Sequence, residues 1–211
     1  MKAVCDRGNG NGLWGATNGD GAGVYGTAAG GGFGVLGESM GGGPAVSGRA
    51  SGTGRAGYFQ GDVEVTGRLL GGGADCAEEF DLSSTDTIEP GTVMVLNQSG
   101  NLEQSYKAYD KKVAGIVSGG GNYKPALVLD KKTGSDINDK RIPIALMGKV
   151  YCKVYANYSP IEIGDLLTTS DIPGHAMKAN DPLKAFGAVI GNALKPLLKG
   201  QGLIPVLVTL Q

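Results

Sequence analysis

The sequence predicts an all-β protein in two parts. Residues 1–73 are expected to form a Gly-rich trimeric β-repeat arm, and residues 74–211 a β-barrel or β-sandwich-like head domain with internal duplication. Three observations predict this. Of 39 glycines in 211 residues, 25 fall in residues 1–73 and 14 in residues 74–211, so composition changes near Gly73. Four glycines, Gly15, Gly26, Gly37 and Gly48, recur every 11 residues. The apolar runs after Gly73 are short, β-branched and punctuated by Gly, Pro, Asn and Asp, which is the pattern of strands.

In the arm, each of the four glycines closes a similar phrase: Gly12-Leu13-Trp14-Gly15, Gly23-Val24-Tyr25-Gly26, Gly34-Val35-Leu36-Gly37 and Ala45-Val46-Ser47-Gly48. Turn-forming stretches such as Ala29-Gly30-Gly31-Gly32 separate them and tolerate positive φ. The expected unit is a short strand and a tight turn. Burying its two apolar side chains contributes about 3–6 kcal/mol. Ordering each backbone residue costs about 1–2 kcal/mol, and more for Gly. One unit alone therefore stays unfolded. Stacked units reverse the balance, either in a single-chain solenoid, for which eleven residues is short of a full turn, or with three chains each supplying one side of a layer, the favoured reading; Trp14, Tyr25 and Leu36 are the residues expected inside. Glycine does not recur every third position, so collagen is excluded.

The stretch from Gly10 to Gly15 matches G-x-G-x-x-G, and so do Gly21 to Gly26 and Gly32 to Gly37. A dinucleotide site has one such motif between a strand and a long helix. An 11-residue period leaves no room for that helix, so the match is a by-product of the repeat.

The arm closes on Gly57-Tyr58-Phe59-Gln60-Gly61-Asp62-Val63-Glu64-Val65-Thr66-Gly67, in which Val63 and Val65 alternate with polar residues as in a half-buried strand. Tyr58 and Phe59 supply a large apolar plug. These serial units and this closing phrase resemble those of bacterial and phage fibre proteins. The resemblance implies a three-stranded intertwined arm leading into a C-terminal domain.

In the head, strands are expected at Thr92–Leu96, Val113–Val117, Ala126–Leu129, Ile142–Met147, Lys149–Val154, Ala185–Ile190 and Leu203–Leu210, with a short helix near Ala193–Lys199. Two related halves, about 88–130 and 161–210, are suggested by three likenesses. Ile88–Met94 resembles Ile161–Leu167, Val113–Gly119 resembles Ala185–Gly191, and Pro125–Val128 resembles Pro205–Val208. Asp75-Cys76-Ala77-Glu78-Glu79-Phe80, with Pro90–Val93 and Tyr109–Ser118, resembles the opening of the peptidase G2 domain that closes phage neck-appendage and tail-fibre proteins. The resemblance implies a role in trimer assembly followed by self-cleavage.

Self-cleavage needs an activated nucleophile beside acid or base groups. Asp75, Cys76, Glu78 and Glu79 are the candidates; the alternative is a turn-capping Asp75 and two glutamates that form ion pairs in the trimer. His175, the only histidine, follows a Pro-Gly turn without a partner motif. No metal site or cofactor is expected: Cys5, Cys76 and Cys152 form no C-x-x-C pair. Both parts are nearly charge-balanced, and net charge is −1, which excludes the basic field of non-specific nucleic-acid or anionic-membrane binders. Apolar runs are too short to insert into a membrane. No signal peptide is recognisable at the start. Without a secretory route, the sequons at Asn97 and Asn157 are taken as chance.

The expected function is that of a structural subunit of a homotrimeric, tail-fibre-like appendage, located on a virion or outside a cell, acting in assembly and attachment without turnover. The alternatives are an autoproteolytic assembly domain, a self-polymerising extracellular filament whose trimers join end to end, and a glycan- or receptor-binding tip. Aromatic Trp14, Tyr25 and Tyr58 would serve the last.

Overall fold

The structure, a computed structural model, describes residues 13–84, 87–132 and 141–209. It divides into two compact units, Met1–Thr66 and Gly67–Gln211. Cys5 and the first Gly-rich phrase up to Gly12 lie outside the described residues.

The first unit is a chain of bends that contains no strand among its described residues. The strands expected in the repeats and at Val63–Val65 are absent from the single chain, and every residue from 13 to 66 is exposed. The physical reason is the one that the energies give: within one chain, neither the backbone groups nor the apolar pairs find enough partners. What the chain does hold is its period. A Cβ on Gly26 would stand 2.5 Å from the Gly34 carbonyl oxygen and 2.8 Å from Val35 Cγ2, and one on Gly37 would stand 2.5 Å from Val46 Cγ2. Gly15 meets Gly23 and Val24 in the same way, and Gly48 meets Ala56. Each phrase-closing glycine thus touches the opening of the next phrase. The turn glycines differ from expectation: Gly30, Gly31 and Gly32 have open space around them and none has positive φ. They provide clearance without left-handed backbone.

The second unit is all-β apart from one short helix. Its elements are β1 (Asp75–Asp81), β2 (Val93–Leu96), β3 (Leu102–Gln104), β4 (Val113–Val117), β5 (Pro125–Leu129), β6 (Arg141–Tyr155), β7 (Leu166–Thr169), β8 (Ala176–Lys178), α1 (Pro182–Ala185), β9 (Val189–Ala193) and β10 (Gln201–Thr209). The two strands expected at Ile142–Met147 and Lys149–Val154 are one, because Gly148 takes φ +100° and lets β6 run on past Ala74, whose oxygen would lie 2.6 Å from a Cβ there. The helix is not near Ala193–Lys199. It forms at Pro182–Ala185, where Pro182 presets φ and the Asp181 carboxylate accepts from the Leu183 and Lys184 amides.

The second half of β6 joins β10, β9, β7 and β8 into a closed five-stranded barrel; β8 returns to β6 in parallel at Val154–Ala176. Strands β1, the first half of β6, β4, β2 and β3 repeat this arrangement, closed by an isolated parallel bridge between Leu82 and Leu102. The equivalence reaches individual hydrogen bonds. Met94 pairs with Gln104 and Gly115, and Leu167 pairs with Lys178 and Gly191. The Gly91 amide donates to the Val117 carbonyl, and the Gly164 amide to that of Ala193. The Ser118 amide donates to the Pro143 carbonyl, and the Leu194 amide to that of Pro205. Gly91 therefore matches Gly164, as the sequence suggested. Gly115 matches Gly191, four residues beyond the expected Gly187. The counterpart of β10 is the first half of β6, with Pro143 matching Pro205, and among the described residues β5 has no counterpart and pairs only with β1. The repeating segments run from β1 to the middle of β6 and from there to β10, sharing β6.

Each barrel encloses its own apolar cluster. Met94, Leu102, Val117 and Ile144 fill the first, and Leu167, Ala176, Ala193 and Val206 occupy the matching places in the second. The second cluster continues into Val93, Ile116 and Ala145, which lie on the outer side of the first barrel and weld the two together.

Candidate assembly surfaces

In the arm, the phrases present their apolar pairs to solvent. Trp14 is 77% exposed, Tyr25 84% and Leu36 69%, and these three occupy the same position in successive phrases. Leu13, Val24, Val35 and Val46 are their neighbours in the phrase and are also exposed. Tyr58 and Phe59 are open as well, with the Arg55 guanidinium 5.7 Å from the Tyr58 ring centroid. Monomeric soluble proteins seldom leave such apolar surface uncovered. Phe33 and Met40 join the exposed set. Sequence reading passed over them because they stand in the Gly-rich turns, where side chains look incidental.

In the head, β1 carries all four cleavage candidates, and strand alternation parts them. Asp75 and Glu79 face one side, Cys76 and Glu78 the other. Both register shifts along β1 insert the extra residue in its neighbours, Ala126 of β5 and Leu146 of β6, so β1 itself stays regular. Asp75 is buried, and neither carboxylate oxygen has a hydrogen-bond partner. Burial raises its carboxyl above the ordinary 3.8, offset in part by the neighbouring Ser118 hydroxyl, which is also buried and makes no well-aligned bond. Glu79 lies 3.6 Å from Lys131 of the same chain. The Glu79 carbonyl also accepts from Arg141 Nη2 at 2.5 Å, and the same guanidinium pairs with Asp81 at 3.0 Å and Asp130 at 2.5 Å. The expected turn-capping role of Asp75 is not what the chain shows, because Asp75 opens a strand. Neither Ser118 nor Arg141 was legible as a partner of β1, since each stands far along the chain and only the barrel brings it near.

The remaining candidates are spread apart. Cys152 is fully buried in the second barrel, which pushes its thiol up to about 12 and keeps it protonated. Among the described residues, no cluster of metal-ligating side chains occurs. His175 is half-buried, with Nδ1 2.8 Å from the Pro173 carbonyl oxygen. The two sequon asparagines shape backbone. Asn97 Oδ1 accepts from the Ser99 and Asn101 amides, and Asn157 Oδ1 accepts from the Gly200 amide. No described helix is long and apolar enough to cross a membrane.

No protein-family model matches the chain, and no curated protein does. The peptidase G2 resemblance therefore rests on the residues quoted for it. Solved structures do match. The pre-mature gene product 12 of bacteriophage phi29 aligns over 72% of this chain with a TM-score of 0.52 and 14% identity. A C-terminal fragment of the same gene product aligns over 64% of this chain and all of its own length, at TM-score 0.44 and 14% identity. The N base of the phi29 head fiber gp8.5 aligns over 66% of this chain and 93% of its own, at TM-score 0.29 and 16% identity. The first of these shows a shared fold, and this chain spans 24% of that protein's length.

Proposed function

We propose that this chain is a structural subunit of a homotrimeric, phage-type fibre or appendage, which builds and extends the assembly and carries its attachment, without catalytic turnover. One observation carries the reading: every residue from 13 to 72 is exposed in the single chain, including Trp14, Tyr25, Phe33 and Leu36. Solvating that many large apolar groups is unfavourable by about 1.5–3 kcal/mol for each side chain that partners would cover. A periodic row of this kind is suited to stacking against copies of itself. The fold shared with a phi29 gene product favours a virion appendage over a cellular filament. Within the chain, the strand leaves Cys76 with only Glu78 of the three acidic candidates on its face, which favours assembly over self-cleavage.

Sedimentation equilibrium of the full chain tests the proposal. A mass near three times the 21.4 kDa protomer that persists on dilution to nanomolar concentration is expected. A well-ordered monomer at that dilution would refute it. Intact mass spectrometry of the same material should show one uncleaved species.

A further inference from the structure

The two barrels share a fold but differ in what covers one side. On the first barrel, Val93, Ile116 and Ala145 point away from its own core and are fully buried against the second. Backbone bonds seal the contact: the Val93 amide donates to the Gly174 carbonyl at 2.9 Å, the Gly174 amide to that of Ser105 at 2.8 Å, and the Lys153 amide to that of Gly91 at 2.8 Å. The connection between β3 and β4 adds the Tyr109 amide, which donates to the Thr169 carbonyl at 3.2 Å.

On the second barrel, the same side is open. The counterparts of Val93 and Ala145 are Leu166 and Leu207, 39% and 38% exposed. The connection between β8 and β9 carries Leu183 and Phe186, 89% and 81% exposed. Two glycine pairs mark the difference. Gly91 and Gly164 both have φ near +90°, yet a Cβ on Gly91 would lie 2.7 Å from Leu203 Cδ1, whereas nothing stands within 4 Å of one on Gly164. Gly174 is crowded by Thr92 of the first barrel, whereas Gly100, its counterpart in the hairpin Asn97–Asn101, is open. Each end of the barrel pair thus keeps one unused half of the contact. The β1 part of the unused seat is closed within the chain by β5 and the Arg141–Asp130 ion pair, which leaves the hairpin as the free part.

We propose that a second copy of this chain covers the open side of the second barrel, seating Leu166, Leu183, Phe186 and Leu207 over the Asn97–Asn101 hairpin of its neighbour. The contact repeats between chains the one already made between barrels. It is heterologous, so it closes a ring or grows a filament. The inference rests on the homotrimeric reading above, under which three chains of two barrels close a ring of six.

Hydroxyl-radical footprinting of the assembled full chain, with its mass measured in parallel, tests this. Phe186 should react about tenfold more slowly than exposed Tyr158, and Leu183 about tenfold more slowly than exposed Leu198, as expected for groups in the dry centre of an interface. Amide exchange across Asn97–Asn101 should be slowed in the same assembly. Leu166→Asp/Leu207→Asp should restore the reactivity of Phe186, and the milder Phe186→Ser, at a site 81% exposed in the single chain, should restore that of Leu183. An oligomer in which Phe186 reacts as fast as Tyr158 overturns this contact and leaves the trimeric appendage standing. A fast-exchanging hairpin overturns the seat. A monomer overturns both.

Discussion

Asp75 shows how a single residue reports on the whole domain. Its carboxyl is raised by burial, so the folded state holds the proton more tightly than the unfolded chain does. The associated stability is fully present below the unfolded value of 3.8 and is lost as pH rises through the higher folded value. At pH 7 a buried, unpaired carboxylate is a liability, and Asp75→Asn should stabilise the head by about 1–2 kcal/mol. Urea denaturation across pH 4 to 7 checks the sign, because the advantage of Asn must shrink towards acid; a loss of stability at pH 7 would mean that an unseen partner holds the charge. The arm offers a second test at this scale. Gly26→Ala drives a methyl into the Gly34 carbonyl and should cost about 1–3 kcal/mol. Gly31→Ala meets open space at a φ that Ala accepts and should be neutral or slightly stabilising. Thermal melting of the assembled arm separates the two kinds of glycine, and equal effects would show that the period is not set by close approach.

At the level of elements, legibility followed burial. Strands β2, β4 and β10 stood out because β-branched runs between Gly, Pro and Asn can hardly be anything else. Strand β1 did not, since Glu78, Glu79 and Asp81 occupy half-buried positions on its two faces, and Glu79 and Asp81 are held by Lys131 and Arg141 from distant segments. Strands β3 and β8, of three residues each, carry too few side chains for a pattern. The duplication was readable where glycine enforces it. Gly91 and Gly164 need positive φ before β2 and β7, and that need survives in sequence. The later correspondences slipped because loop lengths differ between the copies and β5 stands in one of them alone among the described residues. The bulge glycines are the true landmarks: Gly115 and Gly191, with φ +142° and +157°, sit opposite Met94 and Leu167. Gly191→Ala would push a methyl into the Leu207 carbonyl of β10, at a cost of about 3 kcal/mol or more. Chemical denaturation should show a shifted midpoint with an unchanged slope, and an unchanged midpoint would indicate that the bulge can relax.

For the molecule as a whole, composition separated a Gly-rich arm from a β-rich head, and one chain by itself leaves the apolar side chains of the arm without partners. A single copy leaves Trp14, Tyr25 and Phe59 in water, and no amount of pattern reading could turn them into a core without company. The head is the reverse case, with two closed interiors supplied by one chain. Because β6 ends one barrel and begins the next, the two share one continuous strand. The fifteen residues from Arg141 to Tyr155 work as a mooring line: a pull entering at one lobe is carried by covalent bonds into the other, and the join between lobes is never asked to bear the load by itself.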